Sequence, residues 1–266
     1  MAVQLVGIDV DGTLVGSSGE VHPRVWEAAD AARAKGIHLA LCSGRPAFGL
    51  ALQFARKLDA NGWHAFQNGA SIVHLASGES RSVPLPPAAV QSFIAEARAT
   101  ENVLELYNDS GWVTESTAAW AEDHAKLLGV PFEPRPFETL QGPAVRAQWL
   151  LTSAQAKQMM ARIHFGLEAA QSTSPLMPDT QFVGFTHGGV SKASAMRTIA
   201  EQYGVSMADV MYVGDSGNDL PALRVVGHPI AMANAMPKVI ETAGRTVGTD
   251  DEGGVADALH LAMVLA

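Results

Sequence analysis

The chain has 266 residues, 47% of them hydrophobic, and its 27 acidic against 18 basic side chains give a formal net charge of −9. A chain of this length can bury on the order of 70–75% of its unfolded surface, enough for one large domain or two modest ones, and the acidic balance leaves no basic surplus with which to displace counterions from nucleic acid. A single cysteine, Cys42, excludes an internal disulfide, no apolar run approaches the ~20 residues that a membrane span requires, and the first residues lack the basic stretch of a signal peptide, so the expectation is a cytoplasmic protein without nucleic-acid or membrane partners.

In chain order, residues 3–9 read as a buried strand, and Val3 to Ile8 lead directly into Asp9-Val10-Asp11-Gly12-Thr13-Leu14. Strand side chains alternate, so Asp9 and Asp11 are expected to point the same way from its carboxyl end; two adjacent carboxylates repel and demand a cation, a shared proton or both. Gly12 permits a sharp turn there, and Thr13 adds a hydroxyl. A helix follows over 23–35, then a strand over 37–42 that stops at Ser43-Gly44-Arg45, the arrangement expected where a strand end meets a phosphate oxygen. A helix is expected over 46–60.

From residue 83 the texture changes. Pro84-Leu85-Pro86-Pro87 marks an entry, followed by a helix over 88–99, strands over 103–107 and 112–114 around the hairpin signal Asn108-Asp109-Ser110-Gly111, a helix over 117–128, a strand over 145–151, a helix over 154–165 and strands near 169–174 and 181–186. Beyond this α+β segment the first pattern resumes. Ser191 is placed to cap a helix over 191–203 with Lys192 in its first turn, the strand 209–214 runs into Gly214-Asp215-Ser216-Gly217-Asn218-Asp219, a helix covers 218–225, a short strand 226–232, and a helix 255–264. Alternating strands and helices describe a doubly wound parallel sheet, whose ligands bind outside the carboxyl ends of the strands, where all four polar segments fall.

Competing motifs fail on particular residues. A calcium loop starting at Asp9 would place Glu20 correctly at its twelfth position but Leu14 where glycine is essential, and a buried strand precedes it instead of a helix. A cysteine phosphatase loop built on Cys42 would need arginine where Phe48 stands, and Gly214-Asp215-Ser216-Gly217 is one residue short of a nucleophile elbow. His22, His38, His64 and the remaining histidines form no metal signature and are expected at the surface or in packing.

The four segments, in this order, resemble those of the haloacid dehalogenase (HAD) superfamily of phosphohydrolases. Gln67-Asn68-Gly69-Ala70 and Gly189-Val190-Ser191-Lys192 are similar to segments of its Cof-type branch. The likeness covers residues 1 to about 82 and about 184 to 266, while Asp250 and Gly253 depart from the branch's usual Asn and Asp, and Met232-Ala233-Asn234-Ala235 has alanine where glycine is common. It implies an α/β fold: a doubly wound, Rossmann-like catalytic core over 1–82 and 184–266, with an α+β cap domain inserted over 83–183. It further implies a phosphatase acting on a small phosphorylated metabolite, a sugar phosphate or related monoester, with Mg²⁺ as cofactor, in a monomer or homodimer. Asp9 would be the nucleophile and Asp11 the general acid and base, with Ser43 and Lys192 holding the phosphoryl oxygens. Gly12, Thr13, Gly44, Arg45, Asn68 and Asn218 would line the phosphate site, and Asp9, Asp11, Asp215 and Asp219 would serve the metal. A hexose-phosphate mutase and a non-enzymatic phosphate-ligand binder are the alternatives.

Overall fold

The computed structural model describes residues 2–162, 164–174 and 176–266. In chain order its elements are β1 (Leu5–Ile8), α1 (Pro23–Ala34), β2 (His38–Leu41), α2 (Gly49–Asp59), β3 (Trp63–Phe66), β4 (Ser71–His74), α3 (Pro87–Thr100), β5 (Val103–Tyr107), β6 (Trp112–Val113), α4 (Ala119–Leu128) and β7 (Arg146–Leu151). There follow α5 (Ser153–Met160), β8 (Leu167–Ser174), β9 (Met177–His187), α6 (Lys192–Tyr203), β10 (Val210–Gly214), α7 (Leu220–Leu223), β11 (His228–Met232), α8 (Pro237–Ala243), β12 (Thr246–Val247) and α9 (Gly254–Leu265). Among the described residues no helix is long and apolar enough to cross a membrane.

Two compact units result. The first comprises the chain through Arg45, Ala51–Arg81 and Ser191–Ala266. Its centre is a parallel sheet in the order β12-β11-β10-β1-β2, with every neighbouring pair parallel. From β1 the chain steps one way to β2 and later the other way through β10, β11 and β12, so the sheet reverses direction between β1 and β10. That switch point opens the crevice in which doubly wound sheets bind ligands. Every residue of β1 and β10 is buried, as expected for strands covered on both faces. Helices α1 and α9 pack against each other, and Ala28, Ala29 and Ala32 on one and Ala258 and Ala262 on the other are all buried. The antiparallel hairpin β3–β4, not foreseen in the sequence, is joined to the sheet by a bridge between Cys42 and Ala65.

The second unit comprises Pro46–Leu50 and Ser82–Val190. Its sheet, in the order β6-β5-β7-β9-β8, is antiparallel throughout. Leu104, Leu106, Ala147, Trp149, Val183 and Phe185 form a core with Phe93 of α3 and with Ala156 and Met159 of α5. Val103, Leu150 and Phe182 join Ala121 of α4 in a second cluster. The alternation that sends Leu104 and Leu106 to the first core leaves Glu105 on the other face, fully buried, where it accepts hydrogen bonds from Tyr107 and Gln148 and pairs with His124 Nδ1 at 2.8 Å. At the sheet's end, β8 pairs only with β9 among the described residues.

Three expected helices are shorter than the sequence suggests. The helix expected over 46–60 begins at Gly49, whose φ of 60° cannot continue a helix back toward Pro46. The helix expected over 154–165 stops at Met160, where His164 Nε2 donates to the Met159 carbonyl at 3.0 Å and satisfies a helix-end acceptor; Ile163, within that expected span, lies outside the described residues. The helix expected over 218–225 is a 3₁₀ turn, Gly217–Asp219, followed by the single turn α7, because the Asp219 carboxylate folds back onto backbone N–H groups and closes the chain tightly.

Candidate active site

The site lies in the first unit, at the carboxyl ends of β1, β2 and β10. Asp9 follows β1 and continues its pairing, donating its N–H to the Val213 carbonyl at 3.1 Å. The strand then ends. Val10 accepts from both Thr13 and Val15, a turn in which Gly12 takes a φ of 78° and leaves room for Asp215, whose Oδ2 would lie 2.6 Å from any Cβ at that position. This turn parts the two acids that strand alternation would have kept together. Asp9 is 4% exposed, whereas the Asp11 side chain is 60% exposed and held by Arg45, whose Nε donates to Oδ2 at 3.0 Å.

Lys192 opens α6 immediately after Ser191, which caps the helix by accepting from the Ser194 N–H. Its ammonium is completely buried and reaches two carboxylates, Asp9 Oδ1 at 2.7 Å and Asp219 Oδ1 at 2.6 Å. Asp219 is saturated by protein donors. Oδ1 also accepts from the Tyr212 hydroxyl at 2.7 Å, and Oδ2 accepts from the N–H groups of Asp215 and Ser216 at 3.1 and 3.0 Å. Asp215, on the same loop, accepts from the Thr13 hydroxyl at 3.0 Å. Asp9, Asp215 and Asp219 offer oxygens within 4.8 Å of one another; the Asp11 carboxylate is not in that group.

Three acids and one lysine leave a surplus of negative charge. Burial, then the neighbouring Asp219 charge, push the Asp9 carboxyl well above its usual range against the pull of Lys192. Burial, then Asp219, raise Asp215 to about 6. Burial opposes the Lys192 charge, but Asp9 and Asp219 outweigh it and keep the ammonium protonated. Burial likewise opposes the Asp219 charge, and Lys192 overcomes it, so Asp219 stays a carboxylate below its usual range. A hard divalent cation at Asp9 and Asp215 would supply the missing positive charge, and this donor set of hard oxygens fits one.

The remaining expected site residues surround this centre. Ser43 is fully buried at the end of β2, its hydroxyl accepting from the Arg45 N–H at 3.0 Å. Asn68 ties three loops: its N–H donates to the Ser43 carbonyl at 2.9 Å, its Oδ1 accepts from Asn218 Nδ2 at 3.1 Å, and it lies beside Gly44. Gln67 and Asn68 hold left-handed φ values of 53° and 56°, a strained pair of the kind that clusters at functional sites. Asn234, at the rim, donates to the Gly12 carbonyl at 2.8 Å and accepts from the Asp250 N–H at 3.1 Å, so aspartate at 250 keeps its loop attached through backbone. Nothing in the sequence pattern sets Tyr212 apart from the other β-favouring residues of its apolar strand except a lone hydroxyl two residues before Gly214-Asp215.

The family model described as haloacid dehalogenase-like hydrolase matches residues 6–259. YxeH of Bacillus subtilis (strain 168), which carries a phosphatase name, is 26% identical over 262 residues and 97% of each chain. The HMP-PP phosphatase of Cronobacter sakazakii is 24% identical over 247 residues, covering 89% of this chain and 86% of its own. Among solved structures, a haloacid dehalogenase-like hydrolase from Bacteroides thetaiotaomicron superposes with a TM-score of 0.84 at 25% identity, over 97% of this chain and 99% of that one. The sugar phosphatase BT4131, of HAD subclass IIB, superposes with a TM-score of 0.79 at 22% identity, over 97% of this chain and 98% of its own.

Proposed function

Because the chain belongs to the haloacid dehalogenase-like hydrolase family and is a phosphatase of it, we propose that it hydrolyses a small phosphorylated metabolite, a sugar phosphate or related monoester, by way of a phosphorylated Asp9. The observation that carries this reading is the buried ammonium of Lys192 lying 2.7 Å from Asp9 and 2.6 Å from Asp219, with Asp215 alongside. Such a pocket combines a fixed nucleophile with a cation for phosphoryl oxygens. The substrate class is supported by the names of the relatives: one acts on HMP-PP and one on sugar phosphates.

In this reading an Asp9 oxygen attacks phosphorus in line while the bond from phosphorus to the leaving oxygen breaks, so one hard displacement becomes two easier ones. Asp11 gives its proton to the departing alkoxide and then takes one from the water that cleaves the acyl phosphate. Its pairing with Arg45 must open for that, and its exposed position leaves it free to turn. Lys192 and Ser43 neutralise and orient the phosphoryl oxygens throughout. Asp9, Asp215 and the Asp11 backbone carbonyl would hold Mg²⁺, which when bound supplies positive charge to the transferring phosphoryl group. Asp219, its oxygens already engaged, serves the site by holding Lys192 and the Asp215 loop. Residues 83–183 are taken as the inserted cap of such enzymes.

The test is turnover of p-nitrophenyl phosphate. The wild type should release nitrophenol with Mg²⁺ and stop in excess EDTA. Asp9→Asn keeps the shape and removes the attacking charge, so kcat should fall by roughly three orders of magnitude or more with the circular dichroism spectrum unchanged. Near-normal turnover in Asp9→Asn would end the covalent reading.

A further inference from the structure

We propose that Tyr212 is a positioning residue of this phosphatase site: its hydroxyl fixes Asp219 so that Lys192 is held against Asp9. The proposal rests on the phosphatase reading above and adds a residue to it.

Tyr212 sits in the middle of β10, fully buried, in a run otherwise made of Val210, Met211, Val213 and Gly214. A phenol hydroxyl taken out of water at the centre of a sheet is costly unless it is bonded, and an apolar side chain would fill this place without that cost. Its oxygen donates to Asp219 Oδ1 at 2.7 Å, the same oxygen that Lys192 reaches at 2.6 Å. Two donors therefore converge on one atom, while Oδ2 is held by backbone N–H groups.

The ring is fixed as firmly as the hydroxyl. Tyr212 is the register partner of Gly7 in β1, and a Cβ at Gly7 would come within 2.8 Å of the ring and 2.7 Å of Met196 Sδ from α6. The missing side chain lets the ring lie directly on the strand that delivers Asp9 two residues later. Asp219, by contrast, stands on a 3₁₀ turn of three residues. The phenol thus transfers the rigidity of the central sheet to that turn. Without it, Oδ1 keeps only Lys192, and the Lys192–Asp219 pair can pivot away from Asp9. Lys192 spans from Asp219 to Asp9, so this motion acts on the nucleophile's partner, while Asp215 Oδ1 keeps its bond from the Thr13 hydroxyl.

Tyr212→Phe removes one oxygen and keeps the ring. Three measurements on the full chain decide the matter: kcat and KM for p-nitrophenyl phosphate, the Mg²⁺ dissociation constant by calorimetry, and the side-chain ¹⁵N resonance of Lys192. Loss of one hydrogen bond to a charged group should lower kcat about tenfold. KM and Mg²⁺ affinity should stay within about twofold, and the Lys192 resonance should move. An unchanged kcat or an unmoved resonance would overturn the proposal. So would a loss of Mg²⁺ affinity in step with kcat, which would place the phenol behind the metal ligands, or a collapse of Tm, which would make it a purely structural hydroxyl. A wild type without turnover would count against the phosphatase reading instead, because the resonance reports positioning without catalysis.

Discussion

Two buried acids, Asp9 and Asp219, depend on Lys192 at once. Breaking a buried ion pair from one side leaves uncompensated charge, at a cost of about 3–5 kcal/mol. Lys192→Ala should therefore lower the free energy of unfolding in urea by about that amount and also reduce kcat/KM by about a thousandfold or more, because the phosphoryl oxygens lose their fixed cation. A variant that lost activity while keeping full stability would show that Asp9 and Asp219 had found another partner. At this scale the sequence was informative where chemistry forces a residue type. Asp9, Lys192 and Asp215 stand where strand ends and a capped helix start must put them, and the structure brings them together. Asp11 is expected as the general acid and base and at the metal, and Arg45 at the phosphate, yet they hold one another here, because the turn at Gly12 redirects Asp11 to the surface. Tyr212 was illegible for a plain reason. In a strand, tyrosine is favoured by shape alone, and nothing local distinguishes a bonded phenol from a packed one.

His64 shows what holds an element the sequence did not disclose. It lies on β3, fully buried, and its Nδ1 accepts from the Leu41 N–H of β2 at 3.0 Å while Nε2 donates to the Asp59 carbonyl at 2.8 Å. Acceptance at Nδ1 requires the neutral ring, and burial lowers its pKa from 6.5 to about 4 against the Asp59 contact, which favours the charged form. The unfolded chain then binds a proton between about pH 6.5 and pH 4 that the folded one refuses, so stability falls as pH drops through that window. The full effect is about 3 kcal/mol. Urea midpoints at pH 7 and pH 4.5 should differ accordingly, and His64→Gln should remove most of that difference. Strands β3 and β4 are four residues each, too short for alternation to announce them, and the Gln67 to Ala70 connection drew notice as a motif before it could be read as a turn. The parallel strands were easier, since burial on both faces writes them as unbroken apolar runs. Helix ends were harder: a histidine side chain bonds the end of α5, and the Asp219 carboxylate closes the 3₁₀ turn that precedes α7.

For the whole molecule, the alternation of strands and helices was enough to name a doubly wound sheet, because right-handed crossovers allow few other outcomes. The antiparallel sheet of the second unit was legible as strands and a hairpin but not in its order, which depends on pairings distant in sequence. That order leaves β8, an eight-residue strand with Glu168 as its one charge and no proline or lysine, at the end of its sheet. Phe165 and Leu176, at 90% and 77% exposure, stand beyond its two ends. Such an edge is a template for another chain's strand. In dilute buffer the net charge of −9 keeps copies apart, but this repulsion reaches only about 3 Å at 1 M salt. With that repulsion screened the edge is free to pair: light scattering should show particles growing with salt and with protein concentration, and Ala170→Lys, placed on the exposed strand, should suppress that growth while leaving turnover intact. The shelf life of the purified protein would thus be governed by one strand remote in sequence from every catalytic group.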